Sequence, residues 1–165
     1  MATKITKDGY GQVEPNHLSG QITGQIYAQL PAATSIDELE NGMFAKYDYA
    51  NGEVNFTGAG EFMLVFNEVK LYDDEAHMEF YKDFVMKKAD YVDGVMTPRL
   101  IKTNVGDIFT TNCFEDEPTL SVGNVLKVNA NGYLAADGTG AEEFTVVKEY
   151  TLADGQPAVK VQRTK

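Results

Sequence analysis

The sequence predicts a mainly β fold: duplicated small β-barrel or sandwich-like units, with one intervening α-helix and an extended N-terminal arm. Three observations predict it. A pattern spanning 39–73 recurs over 120–154, each copy carries an Asn-Gly turn between alternating segments, and fifteen Gly with nine Tyr and no Trp favour tight turns and strands.

The two copies align as follows. Leu39-Glu40-Asn41-Gly42 opens the first and Leu120-Ser121-Val122-Gly123 opens the second. An apolar strand with a lysine follows in each, Lys46 and Lys127, then the turns Ala50-Asn51-Gly52 and Ala130-Asn131-Gly132. A Gly-x-Gly comes next, Gly58-Ala59-Gly60 and Gly138-Thr139-Gly140, and the pairs Glu61-Phe62 and Glu143-Phe144 start a longer strand. Both copies finish at an aspartate, Asp73 and Asp154. Asn-Gly is the strongest short hairpin signal because a type I′ turn requires positive φ at two successive residues. Val105-Gly106-Asp107-Ile108-Phe109-Thr110-Thr111-Asn112 echoes Val122 to Asn129 as a partial third instance. One copy alone is too small to bury its apolar face, so the copies must pair with each other or recruit flanking strands. Ala158-Val159-Lys160-Val161-Gln162 alternates and supplies one such strand.

Outside the repeat, residues 1–35 form an N-terminal arm and first strand. Residues 1–20 are polar, with little core material; from Gln21 to Leu30 apolar and polar residues alternate as in a half-buried strand. The first β-repeat occupies 36–74, a helix and connector 75–98, and the second repeat with its flanking strands 99–165. The helix itself is expected over about 73–89. Asp73, Asp74 and Glu75 suit its N-terminus and Lys87 and Lys88 its C-terminus, with Phe80, Tyr81, Phe84, Val85 and Lys88 on one face.

Composition narrows the function. With 25 Asp+Glu against 14 Lys+Arg the net charge is −11, which repels phosphate backbones and anionic lipid and argues against nucleic acid or membrane as partners. The start has no apolar stretch of the kind a secretory signal needs, and the single Cys113 allows no internal disulfide; the expectation is a half-buried strand cysteine in a soluble chain. The two histidines, His17 and His77, have no ligand spacing around them, so no metal or other cofactor is expected. The Gly-x-Gly pairs lead into no helix and read as turns, not phosphate loops. Glu115-Asp116-Glu117-Pro118 lacks calcium-loop register and reads as a solvated acidic loop. What the copies share is glycines, turns and apolar positions, so the chain reads as a scaffold and not an enzyme.

Taken together, the chain resembles the head decoration, or capsid cement, proteins of tailed bacteriophages. The residues that carry the resemblance are Met1-Ala2-Thr3-Lys4-Ile5-Thr6, the run Val105 to Asn112, and the close Tyr150-Thr151-Leu152-Ala153-Asp154-Gly155-Gln156-Pro157-Ala158-Val159-Lys160-Val161. The resemblance implies a structural protein made in the host cytoplasm and located on the virion, at the capsid surface. Its implied partner is the major capsid protein, with self-association on the lattice, the trimer being typical of such proteins. Duplication and the central helix depart from the simplest members. The arm supplies the candidate partner-binding residues Tyr10, His17, Leu18, Ile22, Ile26 and Tyr27. The alternative is a host-surface or carbohydrate-binding accessory module of a head fibre or tail, for which Tyr47, Tyr49, Tyr72 and Tyr133 lie near predicted turns.

Overall fold

The computed structural model describes residues 2–67 and 85–165. Two strands, β1 (Thr3–Lys4) and β2 (Val13–His17), precede a single helical turn, α1 (Ser19–Ile22), and β3 (Ile26–Tyr27). The first copy forms β4 (Glu38–Glu40), β5 (Phe44–Asp48), β6 (Glu53–Asn55) and β7 (Met63–Val65). Next come β8 (Val85–Lys87), two 3-10 turns, β9 (Leu100–Ile101) and β10 (Ile108–Thr111). The second copy forms β11 (Thr119–Leu120), β12 (Val125–Val128), β13 (Leu134–Ala135) and β14 (Glu143–Thr151), and β15 (Pro157–Arg163) ends the chain.

The strands make two main antiparallel sheets, a five-stranded one ordered β3-β9-β7-β5-β6 and a six-stranded one ordered β13-β12-β14-β15-β10-β2. Reversing the first order gives β6-β5-β7-β9-β3, which matches β13-β12-β14-β15-β10 strand for strand. The duplication read from the sequence is therefore a duplication of topology. It extends to individual hydrogen bonds. Gly42 N–H donates to Val65 O and Val65 N–H to Met43 O, at 3.0 and 2.8 Å; the second copy repeats this as Gly123 to Val146 and Val146 to Asn124, at 2.8 and 2.9 Å. The third echo repeats it again, Gly106 donating to Arg163 O and Arg163 to Asp107 O at 2.8 and 2.9 Å. All three glycines hold φ between +94° and +102°, the left-handed turn that lets the chain enter each strand.

The ladders also correct one step of the sequence alignment. Ala45 pairs with Met63 as Leu126 pairs with Phe144, so Phe144 corresponds to Met63, not to Phe62. The matching Glu-Phe pairs are one residue out of register, because the loop after Gly140 is one residue longer than that after Gly60. Gly-x-Gly has a packing reason in both copies: the segment crosses its own hairpin, so that a side chain at Gly60 would meet Tyr47 O at 3.1 Å and one at Gly140 would meet Val128 O at 3.2 Å.

The sheets stack in the same sense. The first is buried on both faces: Phe44, Leu64 and Ile101 join one core with Phe109, Leu126, Phe144 and Val161 of the second sheet. Ala45, Met63, Val65 and Leu100 point the other way, into a second core with Ala33, Ile36, Met86 and Met96. This is why Met63-Leu64-Val65 is apolar without alternation, whereas β15 alternates. A two-stranded ribbon, β4 with β8, covers the second core.

Three expectations are corrected. The N-terminal segment is not a free arm: β1 pairs with β11, β2 pairs with β10, and Ile5 and Leu18 are 1% and 2% exposed in the first core. The strand expected from Gln21 to Leu30 shrinks to Ile26–Tyr27, because Gly20 packs against Lys102 O in a helical turn and Gly24 turns at φ +71°. The expected helix lies largely outside the described residues, but of its described part 85–87 is a strand and only Lys88 and Ala89 enter a 3-10 turn. Val85–Lys87 pairs with Glu38–Glu40 and buries Met86, so strand pairing and core burial override the helical spacing there.

Candidate functional site

Two places concentrate polar or exposed groups in a way the sequence does not announce. The first is interior. Glu40, on β4 and only 7% exposed, accepts hydrogen bonds from Lys7 Nζ at 2.5 Å, Gly11 N–H at 2.6 Å and Tyr133 Oη at 2.8 Å. The Cys113 thiol is 3.9 Å away. Gly11 is required there, since a side chain would meet Cys113 Cβ at 2.5 Å and Asn41 O at 2.6 Å. Burial, then the Glu40 charge, push the Cys113 thiol far above its ordinary range; burial and the hydrogen bond to Glu40 do the same to the Tyr133 phenol. Both groups therefore keep their protons at neutral pH, and the thiol is held as a buried packing group with no thiolate character. What the node does is mechanical: one carboxylate ties the N-terminal segment, β4, the chain beyond β10 and the second hairpin. Cys113 lies just beyond β10 and is fully buried, not half-buried in a strand.

The second place is the outer face of the six-stranded sheet. One rung runs His17–Ile108–Gln162–Thr145–Val125 across β2, β10, β15, β14 and β12. Five strands at ~4.8 Å spacing make this rung about 19 Å wide. In the first sheet the equivalent rung is Ile26–Ile101–Leu64–Phe44, all of it facing the inter-sheet core. Val125, Val122 and Val147 are 46%, 60% and 37% exposed on and beside this face. Val147 is the extra residue of a β-bulge, since Val146 pairs with Val161 but Lys148 with Lys160. The bulge turns both Val147 and Lys148 to the solvent side.

The sequence-derived contact residues separate in the structure. Leu18 is core, which removes it from any docking surface; Ile26 packs against the first core; and Tyr27 stacks edge-on against Tyr47 at 5.4 Å. Tyr10 is half-buried with Lys87 Nζ 4.9 Å from its ring centre. Of the six, only His17 and Ile22 are exposed, Ile22 at 75%, and His17 ends the outer rung. The sequence reading missed Val125, Val147, Lys148 and Lys160; the alternation of β15 was visible, but which of its faces is covered depends on the stacking.

The remaining motifs are held by local contacts. A cleft of about 470 Å³ beside Glu115, Asp116, Asn131 and Asp137 borders the second hairpin, where Glu115 accepts from the Asn129 and Asn131 amides at 2.8 and 2.6 Å. Glu117 pairs with Lys4 at 2.6 Å. Among the described residues no group of three or more His, Cys, Asp or Glu gathers in a metal-binding arrangement. The Tyr47 hydroxyl accepts from Gln29 N–H and Tyr133 donates to Glu40, which leaves Tyr49, 75% exposed, as the turn tyrosine open to solvent among those described. Comparison with family models, with curated proteins and with solved structures finds no match to this chain.

Proposed function

We propose that the chain is a structural virion protein that binds the outside of a tailed-phage capsid and stabilises it, with the major capsid protein as partner and self-association on the lattice. The observation that supports this most is the unequal fate of equivalent rungs. The first copy's rung is covered by the second sheet, while the second copy's rung is solvent-facing, on a sheet whose inner side is anchored by Phe109, Phe144 and Val161. A broad, backed sheet face of this kind suits docking across neighbouring subunits. Many weak contacts repeated on a symmetric shell then add through avidity, and binding to the assembled shell alone stabilises it by mass action. The resemblance to decoration proteins supports the same reading. The contact surface moves from the N-terminal segment to the sheet, with His17 shared by both.

Electron microscopy of particles from the source, made with and without this protein, tests the proposal. Density at regular lattice positions that disappears without the protein is the expected result. A shell of unchanged appearance, with the protein absent or found only on a tail or fibre, overturns it and moves weight to the host-surface alternative.

A further inference from the structure

We infer that the outer face of the second sheet docks on an acidic protein surface, with Lys148 and Lys160 as its charged anchors. The inference rests on the proposed docking role of that face, though not on the identity of the shell. It starts from a local reversal of charge. The chain carries net −11, yet the groups on this face are Lys127 of β12, Glu143 and Lys148 of β14, Lys160 of β15, Glu14 of β2 and the terminal Lys165. Glu143 is already engaged, 3.2 Å from Lys127 and 3.4 Å from Lys165. Its carboxyl is held below the usual range, chiefly by the Lys127 hydrogen bond.

Lys148, Lys160 and Glu14 remain; Glu14 sits two strands from Lys160, across Thr110, whereas Lys148 and Lys160 are direct cross-strand partners. Like charges directly opposite one another destabilise a sheet. Among the described residues neither lysine has a carboxylate within ion-pair distance; Lys160 lies 5.4 Å from the Tyr150 ring centre. The bulge at Val147 creates this pairing. Without the extra residue, Lys148 would fall on the inner side and Val147 would face Lys160. The free chain thus holds two cations together on an exposed face, and an anionic partner relieves the repulsion.

The partner's chemistry follows from what surrounds them. Val125, Val147, Ile108, Thr145 and Gln162 share the face, so the two cations are set among apolar and amide groups, where a partner of complementary charge is read by register as well as by attraction. A phosphate polymer or an anionic bilayer would meet the long-range field of a strongly acidic chain, whereas a compact carboxylate cluster beside an apolar patch meets mainly the face itself.

Lys148→Glu tests this with two readouts that a merely structural role would move together. It turns a like-charged pair into an opposite one, so the melting temperature of the full chain rises. Binding falls instead, by about tenfold, toward a polyglutamate peptide at low salt and toward shells lacking the protein. Lys148→Glu with Lys160→Glu loses the gain in melting temperature and weakens binding further. Wild-type protein that ignores polyglutamate, binds it no better than Lys148→Glu does, or prefers oligothymidylate or phosphatidylserine vesicles overturns the inference. Shells that take up wild type and Lys148→Glu equally also overturn it, leaving the capsid reading intact. Failure of both to bind shells, with the polyglutamate difference preserved, removes the capsid reading and leaves the acidic-partner inference standing.

Discussion

Phe44 and Val125 occupy the same rung of two copies of one ladder, Phe44 opposite Leu64 and Val125 opposite Thr145, yet Phe44 is fully buried and Val125 is 46% exposed. The neighbouring positions follow: Ile101 and Leu64 in the first sheet are Gln162 and Thr145 in the second. Because the copies stack in the same sense and not face to face, the first sheet becomes a middle layer and the second an end layer. An end layer with a polar outer face is what a stack of repeats needs at its solvent side. The same substitution logic explains the two lysines. Lys46 lies 4.4 Å from the Phe62 ring centre, and Lys127 pairs with Glu143, which corresponds to Phe62 in the corrected register. One position is completed by an aromatic face, its counterpart by a carboxylate.

The largest expected effect concerns what only the second sheet has, a sixth strand supplied by the N-terminal segment. Removing residues 2–18 deletes β1 and β2, takes Ile5 and Leu18 from the first core, and strips Lys7 and Gly11 from the buried Glu40. An uncompensated buried charge alone costs about 3–5 kcal/mol, and the two core side chains add roughly 2–5 kcal/mol each. The sum is comparable to the whole stability of a small domain, so the truncated chain is expected to show no cooperative urea transition. A normal transition for the truncated chain would restore the expectation of an arm with little core material.

Next in size is the direct test of the rungs. Phe44→Ala is expected to cost about 3–5 kcal/mol, since the ring packs 5.1 Å from Phe144 and 6.1 Å from Phe109, centre to centre. Val125→Ala is expected to stay within about 0.5 kcal/mol, as surface substitutions do. Urea denaturation of the two variants measures the difference. Equal costs would mean that Val125 is covered in solution and that the middle-layer and end-layer distinction is wrong.

How much of this was legible in the sequence differs by element. The positions of the hairpins at Asn51-Gly52 and Asn131-Gly132 were legible, but not their expected type I′ geometry: only Gly52 and Gly132 hold positive φ, and four and five residues join the last paired positions. The third echo at Gly106 was legible too, and reproduces the same pair of backbone bonds. Gly132 shows the limit of such reading. Its N–H closes a turn, but its O also accepts from Phe44 N–H at 2.7 Å, and a side chain there would meet Phe56; a contact between copies is set by stacking and leaves no local pattern. The N-terminal segment misled for a related reason. Two buried apolar residues, Ile5 and Leu18, among polar ones look like solvent-facing chain, and their burial comes from strands more than ninety residues away. The node at Glu40 draws on four separated segments, so no spacing rule could have assembled it.

A smaller effect distinguishes the two layers through pH. Burial raises both Cys113 and Tyr133, so on the alkaline side the unfolded chain loses these protons first. Their contribution is complete below the ordinary thiol value of 9.0 and declines above it, through the ordinary phenol value of 10.0. For the thiol the decline approaches about 1.4 kcal/mol per pH unit. Cys113→Ala should flatten the slope of stability between pH 9.0 and 10.0, leaving the smaller share of the phenol, and should not alter the slope at neutral pH. A slope unchanged by the substitution would show that the thiol is not held in the closed node.

The smallest effect compares the hairpins themselves. Asp48 and Asn129 are equivalent, 81 positions apart, and each side-chain oxygen caps its turn: Asp48 Oδ1 accepts from the Ala50 and Asn51 N–H groups, Asn129 Oδ1 from Asn131 and Tyr133. Only Asp48 can titrate. Hydrogen bonds from Asn51 and then Asn55 hold its carboxyl below the ordinary 3.8. A depressed carboxyl contributes above its unfolded value and loses that contribution as pH falls through the folded one, so the Asp48 cap should loosen in acid, whereas the Asn129 cap has no charge to lose. The Asn51 amide resonance is expected to titrate with a midpoint below 3.8 and to lose that titration in Asp48→Asn, while the response of the Tyr133 amide is the same in wild type and Asp48→Asn. Persistence of the Asn51 titration in Asp48→Asn would assign it to another carboxylate. An Asn51 amide that is flat in the wild type as well would mean that the two turns are capped alike and that the difference between Asp48 and Asn129 is chemically silent.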